Sequence, residues 1–220
     1  LLVVPDGDER DKDVANAILY AVNNGASIIN MSFGKGYSPQ KHFVDSALRV
    51  ANEHDVLIVH AAGNDGENVD VEVHYPSNFD ENGNVINDKF IVVGASTNSA
   101  GKKLPASFSN YGKKSVDIFS PGQDIYSCAP GNKYESASGT SMASPVATGV
   151  ATIIRAYFPE LTAKEVKEIL LESAVKYDMK VLLPGGGKKK VSFSELSVTG
   201  GVINAYNAVK LAQERVNAKK

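Results

Sequence analysis

Gly139-Thr140-Ser141-Met142-Ala143-Ser144-Pro145 opens a run of small and apolar residues that continues through Val150, Ile153, Ile154 and Tyr157 and stops at Pro159. The spacing of its apolar positions predicts a buried core helix starting near Ser141 and ended by Pro159. The start of a helix leaves backbone N–H groups unpaired and partially positive, a setting that suits a nucleophilic hydroxyl. Ser141 is therefore the first candidate for chemistry. The ordinary alternative is that Thr140 or Ser141 only caps the helix.

The elements upstream of this helix set the fold class. Asp11–Asn24 carries Val14, Ile18, Ala21 and Val22 at helical spacing, with Asp11 favouring its start and Gly25 suited to the residue beyond its end. Ser27–Met31 reads as a short buried strand. Ser38-Pro39 reads as a cap followed by a first-turn proline, opening a helix to about His54 with Phe43, Val44, Ala47, Leu48 and Ala51 inward. Val56–His60 and Phe90–Ala95 are further buried strands. Strands and helices alternating with short connections predict right-handed crossovers and a parallel sheet with helices on its faces. Sites in such sheets form beyond the C-terminal ends of the strands, where Ser32-Phe33-Gly34 and Gly63-Asn64-Asp65 fall.

Between and beyond these elements the signals are weaker. Gly66–Lys89 is polar; Asp80, Asn82 and Asn84 alternate, but the glycine and glutamate of an EF-hand are replaced by Val85 and Ile91, so Asn82-Gly83 is read as a hairpin turn. Antiparallel pieces are expected around Ala106–Phe108, Val116–Phe119 and Ile125–Cys128. Thr162 with Glu165 forms a capping box before a helix carrying Val166, Ile169, Leu170 and Ala174. Gly185-Gly186-Gly187-Lys188-Lys189-Lys190 is read as a flexible, solvated loop. The last helix carries Val209 and Leu211, with Asn217–Lys220 expected to fray. Leu1–Val4, without a basic flank, reads as a buried strand rather than a signal peptide.

The 220 residues suffice for one domain with a sizeable core, and 43% hydrophobic with 22% charged residues is ordinary for a globular chain. A net charge of −2 gives no general pull toward nucleic acid or anionic membrane, and no apolar run reaches the roughly 20 residues of a membrane span. Cys128, the only cysteine, excludes an internal disulfide.

Gly139–Pro145 resembles the nucleophile motif of the subtilisin-like serine proteases. An ordered series of other segments resembles that family from about Asp13 to about Ala208: Ile29–Gly34, Ala61–Asp65, Tyr75-Pro76, Phe90–Ala95, Phe108–Gly112 and Ser120–Gly122. The resemblance implies a three-layer α/β fold with a mostly parallel sheet flanked by helices. It also implies that residues 1–220 form a single domain, the C-terminal portion of a subtilisin-like peptidase domain whose N-terminal part is missing. It gives Ser141 the nucleophile role and Asn64 the oxyanion-binding role. Ser32, Phe33 and Gly34 become the edge that pairs with an extended substrate, and Ala61, Ala62 and Gly63 the opposite wall of the primary pocket. Asp65, with His74, corresponds to its rim. For Asn64 the alternative is a turn residue, and for His74 an ordinary loop position.

That family orders its triad as Asp, His, Ser along the chain. Neither His42, His54, His60 nor His74 has the surroundings of the catalytic histidine, so the base and its aspartate are expected upstream. The resemblance thus implies a serine endopeptidase acting through an acyl-enzyme on Ser141, with a polypeptide substrate, an upstream Asp/His segment as partner, and an isolated chain lacking peptidase activity. It implies no cofactor in the chemistry, and no calcium or other metal site is legible. An extracellular or periplasmic location follows from the resemblance alone. Apolar surface uncovered by a missing N-terminal part favours self-association. The alternative from another class is a non-catalytic peptide-binding module that has lost the base. An α/β-hydrolase nucleophile elbow wants glycine where Ala143 stands.

Overall fold

The computed structural model describes residues 9–219. The proposed Leu1–Val4 strand lies outside the described residues, as does Lys220.

A six-stranded sheet forms the middle layer, in the order β1-β2-β3-β4-β10-β7. Strands β1 (Ile28–Met31), β2 (Leu57–Ala61), β3 (Phe90–Ser96) and β4 (Ile118–Pro121) run parallel. Beyond them β10 (Gly201–Val202) is parallel to β4 and antiparallel to β7 (Val175–Lys176). The mostly parallel α/β sheet expected from the sequence is present. Every residue of β2 is buried, because helices cover both faces of the sheet.

Alternation along the strands divides the core in two. Leu57 and Val59 of β2 face the helices α3 (Thr140–Tyr157), α4 (Ala163–Glu172) and α5 (Ala205–Ala218), packing with Ala143, Ala147, Val166 and Ala208. Ile58 faces the opposite layer, α1 (Asp11–Asn23) and α2 (Lys41–Glu53), with Ile18, Val44 and Leu48. A third cluster around Phe119 and Phe193 fills the end of the sheet near β8 (Lys180–Leu182) and β9 (Lys190–Ser192). The reciprocal capping box of Thr162 and Glu165 is present.

Four local expectations are corrected. The second helix starts at Lys41, because Ser38 Oγ and Gln40 N are drawn to the Asp11 carboxylate at 2.7 and 2.8 Å instead of opening a helix at Ser38. The piece at Val116–Phe119 is a parallel sheet strand, β4, while Ala106–Phe108 forms no strand and only Pro105 bridges Ser96. Ile125–Ala129 (β5) does pair antiparallel, with Lys133–Ala137 (β6). The triple-glycine segment is no free loop: Gly185 N donates to Ser107 O at 3.0 Å, and a Cβ on Gly185 would stand 2.4 Å from Gly66 O. Two backbones meet there, each glycine at positive φ.

Gly94 shows how tightly β3 and β4 are packed. A Cβ at Gly94 would stand 2.8 Å from the Phe119 ring, which is fully buried and lies 5.1 Å from that of Phe193. Gly94→Ala is expected to destabilise the chain by about 1–3 kcal/mol through overpacking. A fall in the urea midpoint at unchanged slope would show it; an unchanged midpoint would mean that the ring moves freely aside.

Candidate active site

The C-terminal ends of β1 and β2 and the N-terminus of α3 meet at one edge of the sheet. Ser141 lies in the first turn of α3, after the N-cap Gly139. Neither hydroxyl of the Thr140-Ser141 pair caps the helix. Ser141 Oγ donates to Ser32 O at 3.2 Å, and Ser32 Oγ donates to Ser141 O at 3.0 Å. The second bond has a sequence cause. Pro145 has no N–H, so the Ser141 carbonyl loses its helical partner four residues on, and the Ser32 hydroxyl replaces it.

Thr140 fixes Asn64. The Asn64 amide oxygen accepts from Thr140 N at 2.8 Å and from Thr140 Oγ1 at 3.0 Å, while Thr140 Oγ1 accepts from Gly63 N at 3.1 Å. Two donors on one oxygen define which end of the amide is nitrogen. Asn64 Nδ2 has no acceptor among the described residues. A Cβ at Gly139 would stand 3.6 Å from both Asn64 Nδ2 and Ser141 N, and 3.7 Å from Asn64 Oδ1, so both donors lie beside Gly139. Such a pair can stabilise an anionic oxygen.

Behind these groups lies a scaffold that the motif reading did not assign. Asn110 is fully buried; its amide oxygen accepts from Asp65 N at 3.0 Å and Glu67 N at 2.9 Å, and its nitrogen donates to Ala62 O at 3.0 Å. It thereby holds the loop that carries Asn64. Asn30 Oδ1 accepts from Ser144 and Thr148 of α3 at 2.8 and 2.9 Å, and its nitrogen donates to Ser32 Oγ at 2.9 Å. Both residues stood inside quoted motifs, Ile29–Gly34 and Phe108–Gly112. Only their long-range partners reveal what they do.

A cavity of about 320 Å³ adjoins Ser141. Ser32, Phe33, Gly34, Ala61, Gly63, Asn64, Asp65, Thr140 and Ser141 line it, joined by Glu9, His60 and His74. Of the expected wall residues, Ala62 is the exception. It is turned into the core with Val69 and Phe119, since successive side chains of an extended segment point to opposite sides. His74 lines the cavity together with Asp65.

No histidine is hydrogen-bonded to Ser141 among the described residues. His54 contacts Val50 O, and His60, 3% exposed, contacts Met31 O through Nδ1 at 3.1 Å. A carbonyl only accepts, so Nδ1 carries the proton and Nε2 is a bare lone pair. Burial pushes the His60 imidazole down to about 4, against the raising effect of the Met31 hydrogen bond and helped by the charge of His74. The ring is neutral at pH 7.

Residues 2–205 match a family model described as the Subtilase family. The chain is 38% identical over 168 residues to the cell wall-associated protease of Bacillus subtilis, covering 76% of this chain and 17% of that protein. It is 34% identical over 164 residues to subtilisin DY of Bacillus licheniformis, covering 73% and 54%. It therefore spans little more than half, or less, of the length of these curated relatives. Among solved structures, the prenylagaramide maturation protease PagA superposes with a TM-score of 0.74 at 28% identity, over 95% of this chain and 70% of that one. With this fold, and with Ser141 and Asn64 set at the strand ends as described, the chain belongs to the subtilase family.

Proposed function

We propose that this chain is the nucleophile-bearing portion of a serine endopeptidase. Ser141 Oγ attacks a peptide carbonyl, the C–N bond breaks and the amine leaves, and water then hydrolyses the acyl-enzyme. Asn64 Nδ2 and Ser141 N meet the oxyanion of each tetrahedral intermediate. The observation that carries this reading is the pair of unclaimed donors, Asn64 Nδ2 and Ser141 N, that lie together beside Gly139 at the head of the helix bearing Ser141.

Among the described residues no histidine is hydrogen-bonded to Ser141 as its base. The Ser141 proton rests on the Ser32 carbonyl, which is too weak a base to take it. An upstream segment supplies the histidine and the aspartate that orients it. β1 is an edge of the sheet, and along its outer side the described residues provide no partner strand. That open edge offers backbone groups to an added strand. An extended polypeptide substrate would lie along Ser32-Phe33-Gly34, with one side chain in the cavity walled by Ala61 and Gly63. An extracellular or periplasmic site of action belongs to the same reading. Among the described residues, no helix is long and apolar enough to cross a membrane.

The test is fluorophosphonate labelling read by intact mass, with this chain alone and with an added upstream Asp- and His-bearing segment. One adduct, formed only in the mixture and lost in Ser141→Ala, is the expected result. No adduct in either state, with peptide binding retained in Ser141→Ala, would instead make the chain a binding module.

A further inference from the structure

Asp65 and His74, which line the cavity, meet Glu67, with one ligand atom from each of the three lying within 4.8 Å of the others. His74 Nε2 stands 3.6 Å from Asp65 Oδ2 and 3.7 Å from Glu67 Oε2. A direct charge-assisted hydrogen bond would close such a gap to about 2.7–2.9 Å. Ligand atoms around a tetrahedral zinc ion, with bonds of about 2.0–2.2 Å, sit about 3.4 Å apart. The two observed separations match edges of a coordination tetrahedron and equally lie within ion-pair range.

Asn110 reaches the same cluster. The Asn110 amide nitrogen, identified as the donor end by the two N–H groups on its oxygen, lies 3.4 Å from His74 Nε2 and 3.4 Å from Asp65 Oδ2. The same amide supports the carboxylate, as outer groups do at metal sites.

An independent observation comes from His60. It is 97% buried by its 3% exposure, lines the same cavity as Asp65 and His74, and its Nε2 lone pair has no hydrogen-bond partner among the described residues. An acceptor open to a cavity is met there by a donor, water included, or by a cation.

We propose that Asp65, Glu67 and His74 form a binding site for zinc or a similar divalent transition-metal ion at the mouth of the cavity. Two carboxylates and an imidazole suit zinc, whereas calcium and magnesium demand six or more ligands, nearly all oxygen. Three protein ligands leave a fourth position for water or for a group entering the cavity. If the cavity takes a substrate side chain, the ion competes with it; that consequence rests on the peptidase reading, while metal binding does not.

The experiment is calorimetric titration of the metal-stripped chain with zinc chloride, in a Cys128→Ser background because that thiol is exposed and would bind zinc itself. One zinc per chain is expected, weakened at least tenfold in His74→Ala and in Asp65→Asn/Glu67→Gln, with thermal unfolding of the zinc-free variants confirming that they fold. His42→Ala/His54→Ala, which removes the other two exposed or half-exposed imidazoles, should leave binding unchanged. Absence of zinc binding, or binding undiminished in the folded His74 and carboxylate variants, would overturn the site. Because the readout is binding heat, failure of the labelling experiment at Ser141 leaves this outcome untouched.

Discussion

In the chain assembled with its upstream segment, Asn64→Ala lowers turnover by about a hundred- to a thousandfold with little change in KM. That range is the one established for the oxyanion asparagine of subtilisin, a relative of this chain. The geometry supplies the reason to expect it here. Thr140 N and Oγ1 both occupy the Asn64 amide oxygen, so Nδ2 is held outward and costs no reorganisation when the oxyanion forms. A ground-state carbonyl carries less charge than the tetrahedral intermediate, and so the loss falls on turnover rather than on binding. Asn64→Asp sharpens the test: it keeps the size but places an acceptor where the donor stood, and its turnover should be at least as low. A loss under tenfold in both variants, or one confined to KM, would remove Asn64 from the chemistry.

The second large effect is on stability in acid and belongs to His60. Unfolded, its imidazole titrates near 6.5; folded, burial lowers it to about 4. Above pH 6.5 the ring is neutral in both states and carries no penalty. As the pH falls from 6.5 towards 4, the unfolded chain takes up a proton that the native chain refuses, so stability declines through that window. At about 1.4 kcal/mol per unit, the loss approaches 3 kcal/mol by pH 4. Denaturant unfolding at several pH values measures it. His60→Gln keeps a donor for the Met31 carbonyl and cannot titrate, so its stability should be flatter between pH 6.5 and 4. Parallel profiles for the two proteins would assign the acid sensitivity to other groups.

Much of the architecture could be read locally. Helical and strand periodicities located α1, α2, β1, β2, β3 and α3, and Thr162 with Glu165 announced α4, because each signal spans only a few residues and its partner lies within reach along the chain. Ser141 was legible as a helix-start serine, and the ordered motifs pointed to Asn64. The errors share one cause. Whether Ile118–Pro121 runs parallel or antiparallel depends on which distant strand takes its hydrogen bonds, and β3 takes them. A Gly-Gly-Gly-Lys-Lys-Lys stretch looks solvated until Gly66 is found against Gly185.

The sequence by itself determined the element types, the layered α/β class and the presence of a serine at the head of a buried helix. Periodicity, capping and turn chemistry are properties of neighbouring residues, so they survive in one dimension. Only the tertiary structure decided the reciprocal Ser32–Ser141 contact, the locking of Asn64 by Thr140, the turning of Ala62 into the core, the meeting of Asp65, Glu67 and His74, and the cavity that Asp65 and His74 share with His60. Hydrogen bonds across 76 and 109 residues leave no period in the sequence, and burial at one shared cavity is set by packing rather than by composition.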